Sequence, residues 1–350
     1  MIVRLQKKYI QSFGETEHVA ILGIKGLPPE FPGTSGIESY VAERIPSLVE
    51  SGKKVTCYVR AWATPRTERH YLGATLVRIP SVRTKQLDAM SHTLLSTLLA
   101  CVSDADTVWF HASGPALFAF LPRFVGKRVF FTLHTLEWKR EKWGAVARLL
   151  LRIGEWVGVR SASACFVVSR DLARYVKETH HKKSIVDEPK EHIYAPTAPK
   201  IIRKRYNLKG KDYILYLGRF VPEKRIEWLI RAYSHVRPKG VRLVIAGGEG
   251  YGNAYEKKIK HGSVTNSDII FVGWVFGKEK EELLGNCLLF VLPSSIEGNP
   301  MVLKEVPWHA RILISDRLAK TIHTNCLAYT FHHDSETDFS KQFRRALLSV

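Results

Sequence analysis

The chain has 350 residues, 45% hydrophobic and 25% charged, which excludes disordered, collagen-like and coiled-coil classes and leaves room for two or three domains. Lysine and arginine number 53 against 33 acidic residues, a formal charge of +20, which points to an anionic partner: a phosphorylated substrate, anionic lipid or nucleic acid. No apolar run reaches the ~18 residues of a membrane-crossing helix, residues 1–13 do not read as a secretory leader, and five scattered cysteines without a CxxC pair read as reduced thiols of a cytosolic protein.

Along the chain, strand-like and helix-like segments alternate, the pattern of doubly wound α/β domains with parallel sheets. Strands are expected at 19–23, 55–59, 76–79, 108–110, 129–133 and 165–168 in the first half. Between them, a Gly/Pro-rich loop through Gly36 leads into a helix with apolar residues at Ile37, Tyr40, Val41, Ile45, Leu48 and Val49. Pro46 predicts a kink in it and Gly52 a left-handed C-terminal cap. Helices are also expected at 91–102 and 145–159. The second half repeats the alternation, with strands at 213–217, 241–246, 269–272, 288–292 and 312–314 and helices at 223–236 and 339–348. Prolines 196 and 199 precede six Lys/Arg in residues 200–211, which reads as an exposed linker. The expected organisation is a first domain 1–198, a basic linker 199–211 and a second domain 212–350.

Ligands in such domains bind at strand ends and helix N-termini, so four loops stand out. Gly218 to Lys224 joins a strand to a helix and carries Arg219 and Lys224, cations suited to phosphate oxygens. A helix-start loop with two solvated cations explains the same residues. Glu297 lies in the next such loop, where Asn299 suits the N-cap and Pro300 the first helical position. Glu305 follows inside that helix. His134 ends a strand of the first half, where it either meets a sugar hydroxyl or is simply packed. The loop 23–36 offers close backbone approach at Gly26, Gly33 and Gly36, or is a plain turn-rich loop. Asp104 and Asp106 precede their strand and read as a turn. His180-His181 and His332-His333 lack partner ligands at metal spacing. Neither a GxGxxG fingerprint, a P-loop nor a GxSxG elbow is present.

Together these segments resemble the retaining GT-B glycosyltransferases of family four. YLGRFVPEK at 216–224 is similar to that family's GRLxxEK loop, Glu297 and Glu305 have its E-x7-E spacing, and Ser315-Asp316 matches its SD pair. In the first half, ILGIKGLP at 21–28, SHTLLST at 91–97 and EWKREKWG at 137–144 resemble a rhamnosyltransferase-like subgroup. The resemblance covers roughly residues 18–316. It implies two Rossmann-like parallel-sheet domains facing a central cleft, and sugar transfer from a nucleotide-sugar to a glycan or lipid-linked acceptor, as in polysaccharide biosynthesis, with no metal. By similarity, Arg219 and Lys224 hold the diphosphate, Glu305 the ribose and Glu297 the transferred sugar. Asn299, Pro300, Met301 and Val302 meet sugar or phosphate, and Gly273, Trp274 and Val275 lie against the base. His134 sits beside the sugar and Gly36 approaches donor or acceptor.

The chain departs from that pattern in a longer loop around Pro32-Gly33-Thr34 and in Lys304, which replaces an apolar residue. Pro307 should also end its helix. Alternatives are a non-catalytic GT-B partner subunit and, ranked lower for want of RRM-type aromatic motifs, a nucleic-acid-binding protein. The basic runs 4–8 and 200–211 could rest on an anionic membrane at the inner face of the cell.

Overall fold

A computed structural model describes residues 11, 13–31, 34, 36–84, 87–140, 143–191, 194, 197–248, 254–263, 266–307, 309–321 and 326–348. The basic run 4–8 and Pro32-Gly33 lie outside them. The chain divides into two units, Met1–Pro189 and Lys190–Val350.

In chain order the first unit holds β1 (His18–Leu22), α1 (Gly36–Glu50), β2 (Lys54–Arg60), β3 (His70–Tyr71), β4 (Ala74–Ile79), α2 (Leu87–Val102), β5 (Thr107–His111), α3 (Phe120–Phe124), β6 (Arg128–Leu133), α4 (Ala145–Ser161), β7 (Ala164–Val167), α5 (Arg170–His180) and β8 (Ile185–Val186). The sheet runs β3-β4-β2-β1-β5-β6-β7-β8, parallel except at β3. Every residue of β1 and β5 is buried, so both sheet faces are covered and the strands read as near-continuous apolar runs. Helix α1 runs through Pro46. It ends as the sequence predicts: Gly52 has φ +80°, its amide donates to the Val49 carbonyl at 2.9 Å, and Lys53 donates to Leu48 at 3.1 Å. Asp106 lies at a bend just before β5, and its carboxylate accepts from the Glu17 and His18 amides at 2.8 and 2.9 Å, tying the start of β5 to that of β1.

The second unit holds α6 (Lys200–Tyr206), β9 (Tyr213–Leu217), α7 (Ile226–Val236), β10 (Arg242–Ala246), α8 (Ala254–His261), β11 (Ile269–Gly273), α9 (Gly277–Asn286), β12 (Leu289–Leu292), α10 (Met301–Glu305), β13 (Arg311–Ser315), α11 (Asp316–Thr321), β14 (Leu327–Phe331) and α12 (Glu336–Leu348). Its all-parallel sheet has the order β11-β10-β9-β12-β13-β14, the 3-2-1-4-5-6 order of dinucleotide folds. Strand order reverses between β9 and β12, and open α/β sheets bind ligands at that switch point.

The expected linker 199–211 is corrected. Its basic run folds as α6 inside the second unit, with Ile202 and Leu208 in that unit's core. Acidic α9 explains why. Glu282 accepts from the Ile201 and Ile202 amides at 2.7 and 3.1 Å, and Glu279 pairs with Arg205 at 2.7 Å. Among the described residues no helix is long and apolar enough to cross a membrane.

Candidate active site

The loop after β9 makes the first half of the site. Tyr216 is fully buried and its hydroxyl donates to the Arg219 carbonyl at 2.9 Å, holding the turn that presents Arg219. Burial pushes the Tyr216 phenol well above its usual range; Tyr255 and Glu297 push the same way, and Arg219 opposes them. Arg219 and Glu297 therefore lie within electrostatic reach of one hydroxyl. The turn does not run straight into a helix, as the sequence suggested. Pro222–Lys224 is a single 3-10 turn, Arg225 adopts φ +49°, and α7 starts only at Ile226. Charge at this loop comes from side chains more than from a helix end.

Beyond β12, the second loop delivers Glu297, and its carboxylate forms an ion pair with the Lys224 ammonium. The pair spans the β9/β12 switch point. Ser295 fastens the two loops together, its amide and hydroxyl donating to the Glu223 carbonyl at 2.9 and 3.2 Å.

Asn299 is half-buried but does not cap the helix. Pro300, at ψ 113°, occupies the N-cap, and α10 holds five residues, Met301 and Val302 forming its first turn. So short a helix has little dipole to offer. It stops at Glu305, two residues before Pro307, as expected. Glu305 is buried. Its Oε1 accepts from the Lys280 ammonium at 2.6 Å, and its Oε2 makes no hydrogen bond among the described residues. Lys304, the departure from the family pattern, is buried with its ammonium 3.6 Å from Glu191.

At the ends of β9, β10 and β11 lies a cavity of about 370 Å³ whose lining includes Phe220, Gly247, Gly248, Gly273 and Trp274. Gly273 and Trp274, expected to lie against the base, both line this cavity. Val275 does not: its side chain packs into the unit's core. Glu256 and Lys260 of α8 also line the cavity. Two consecutive glycines after a strand were a legible signal for Gly247 and Gly248; α8 gave none.

In the first unit, His134 follows β6, and its Nε2 lies 3.1 Å from Nδ1 of His111 at the end of β5. His111 was missed, though a histidine closing a neighbouring strand is the same signal. Tyr40 stands edge-on to His134, ring centroids 4.8 Å apart, and is fixed from behind. Its hydroxyl donates to Asp187 at 2.5 Å, Arg44 donates to both Asp187 oxygens at 2.9 and 3.1 Å, and the guanidinium lies 3.6 Å over the Tyr40 ring. Gly36 is the exposed first residue of α1. Gly23 and Gly26 serve packing, since a Cβ would stand 2.3 Å from the His111 carbonyl oxygen and 2.0 Å from that of Ala63, respectively.

His332-His333 has no ligand partner at metal spacing along the chain, but the fold brings one to it. Asp316, His332 and His333 offer ligand atoms within 4.8 Å of one another, a set able to hold a cation. Here His333 is already engaged, with Nδ1 2.9 Å from Asp316 and Nε2 3.0 Å from Asp334.

The buried histidines set a pH dependence. Burial, with Arg60, pushes His92 down to about 4; burial, with Arg44, pushes His134 to about 3; and burial, with His134 and Arg44, lowers His111 well below 6.5. All are neutral in the folded chain at pH 7, while the unfolded chain takes up these protons below about 6.5. Their stability is full above that value and is lost as pH falls toward the folded-state values, at up to about 1.4 kcal/mol per histidine per pH unit. The thermal midpoint is expected to drop from pH 7 to pH 5, and His92→Gln to flatten the slope. Equal slopes in the variant and wild type contradict this.

Two family models match the chain: Glycosyltransferase Family 4 over residues 34–186 and Glycosyl transferases group 1 over residues 211–347. The GDP-mannose-dependent alpha-(1-6)-phosphatidylinositol monomannoside mannosyltransferase of Mycobacterium tuberculosis is 28% identical over 280 residues, covering 77% of this chain and 72% of that protein. The sucrose-phosphate synthase of Thermosynechococcus elongatus shares the fold with a TM-score of 0.74 at 18% identity, over 95% of this chain and 90% of that one. HepE of Anabaena, solved with UDP-glucose, does so with a TM-score of 0.73 at 12% identity and the same coverage. With each unit matched by its own glycosyltransferase model and both folded as parallel-sheet Rossmann-like domains, the chain belongs to the GT-B glycosyltransferases of family four and is a nucleotide-sugar-dependent enzyme.

Proposed function

We propose that the enzyme moves a sugar from a nucleoside-diphosphate donor to a glycan or lipid-linked acceptor, with retention and without a metal, in the manner of the rhamnosyltransferase-like subgroup. The observation that carries the reading is the Lys224–Glu297 ion pair across the switch point, with Arg219 on the same β9 loop as Lys224. Before donor binds, Glu297 holds the Lys224 ammonium in place. The donor diphosphate then draws Lys224 and Arg219 to itself and frees Glu297 to face the sugar.

The base enters the cavity at Gly273 and Trp274, and the ribose hydroxyls donate to the open Glu305 oxygen. Asn299, Pro300, Met301 and Val302 line the sugar and phosphate side. On the first unit, taken by itself, His134 has its Nε2 engaged by His111 while its Nδ1 takes the role of meeting a sugar hydroxyl, and Gly36 that of approaching donor or acceptor. As the C1–O bond breaks, its electron pair moves to the β-phosphate oxygen, and Arg219 and Lys224 offset the charge that gathers there. The Glu297 carboxylate stabilises the oxocarbenium-like sugar. The acceptor oxygen bonds to C1 from the same face, and its proton passes to the departing phosphate.

A lipid-linked acceptor is supported by the mycobacterial relative, whose name specifies a phosphatidylinositol mannoside. The test is transfer from nucleotide-sugars to lipid-linked and glycan acceptors with EDTA present. Product with the donor's anomeric configuration is expected. Inverted product, or turnover lost in EDTA and restored by a divalent cation, contradicts the reading.

A further inference from the structure

Among the described residues, eighteen large apolar side chains are exposed, and fourteen of them lie on α2, α3, α4 or the residue after α3. The exposure is therefore one surface, because α3 packs against both α2 and α4. Helix α2 is inside out. It buries Asp88, His92, Thr93, Ser96, Thr97 and Ala100, and turns Leu94, Leu95, Leu98, Leu99 and Val102 to the outside, the last 83% exposed. A helix stabilised only by its own unit would face the other way. On α4, Val146, Leu149, Leu150, Ile153 and Trp156 recur at helical spacing on the outer face, and α3 adds Phe120 and Phe124, the latter 82% exposed.

Charge on this surface has one sign. Arg123, Arg148, Arg152 and Arg160 are exposed, while the acidic residues of the three helices, Asp88 and Glu155, are buried. We propose that the α2–α3–α4 face of the first unit docks on an anionic lipid surface, leucines and phenylalanines entering the acyl boundary and the arginines meeting headgroup phosphates. The pairing of an apolar face with basic residues and a flanking tryptophan is that of interfacial helices. A second copy of the chain fits less well. A two-fold contact through this face sets its arginines against their own images, with no exposed carboxylate on the three helices to answer them. The basic run of α6 is a poorer candidate, since Arg205 is paired with Glu279 and α6 exposes no large apolar side chain.

The experiment is flotation with vesicles of phosphatidylcholine alone or mixed with phosphatidylglycerol. The full chain is expected to float with the anionic vesicles and to release as salt rises. Leu98→Gln/Phe124→Ser/Leu149→Gln should weaken flotation about tenfold or more, and Arg148→Glu/Arg160→Glu should remove the preference for phosphatidylglycerol. All five positions are exposed, so thermal midpoints should stay near wild type. Arg203→Gln/Lys204→Gln in α6 should float like wild type. The proposal is overturned if wild type does not float, if the triple variant floats equally well, or if that variant only disperses a dimer. Flotation needs no sugar donor, so its failure is separable from failure of the transferase reading.

Discussion

Replacing Glu297 with alanine is expected to lower kcat by about 10²–10³-fold, the loss seen when one preorganised electrostatic contact to a transition state is removed. The fall should appear in kcat rather than KM, because in the proposed reaction the carboxylate meets charge that develops only as the sugar–phosphate bond breaks. Stability needs a separate check. The Lys224 and Glu297 side chains are 12% and 14% exposed, so removing one leaves the other poorly solvated. Glu297→Gln keeps the shape and a hydrogen bond to Lys224, and should fold normally while losing similar activity. Full activity in Glu297→Gln, with an unchanged thermal midpoint, contradicts the assigned role.

The largest structural effect is expected at Gly247. Its φ is +127°, and a Cβ there would stand 1.9 Å from the Gly218 carbonyl oxygen. Neither strand end can give way easily. Gly218 donates to Ala246 at 3.0 Å, Gly247 to Gly273 at 2.7 Å and Phe220 to Gly248 at 3.1 Å. Gly247→Ala therefore combines backbone strain with a backbone clash, about 3–5 kcal/mol together, or a midpoint lowered by about 10 °C. Gly240→Ala is the comparison: φ is also positive, +72°, but a Cβ meets nothing within 4 Å. Thermal unfolding that finds Gly247→Ala no worse than Gly240→Ala contradicts this account of the loop.

Much of the fold was legible because parallel strands covered on both faces are short apolar runs, and β1, β5, β9 and β12 read that way. The two-residue edge strands β3 and β8 carry too little pattern to read. Charge runs misled where the partner is distant in sequence. The basic run of α6 read as a linker because nothing near it shows that Glu279 and Glu282 will lie opposite. Likewise α2 has clear helical periodicity, but period alone does not say which face turns inward. Of the site, the loop residues were legible from strand-end position, and Lys224 and Glu297 meet. What position could not give were pairings between distant segments, such as His111 with His134 and Lys280 with Glu305, and the packing that puts Val275 in the core.

In the proposed reaction Arg219 and Lys224 hold a diphosphate at the β9/β12 switch point. Calorimetric titration of nucleoside diphosphates, with EDTA present, into wild type, Arg219→Ala and Lys224→Ala tests it most directly. At least one nucleoside diphosphate should bind wild type, and each variant should bind it about tenfold or more weakly while keeping its fold. Folded variants that bind the nucleotide as tightly as wild type would contradict the account.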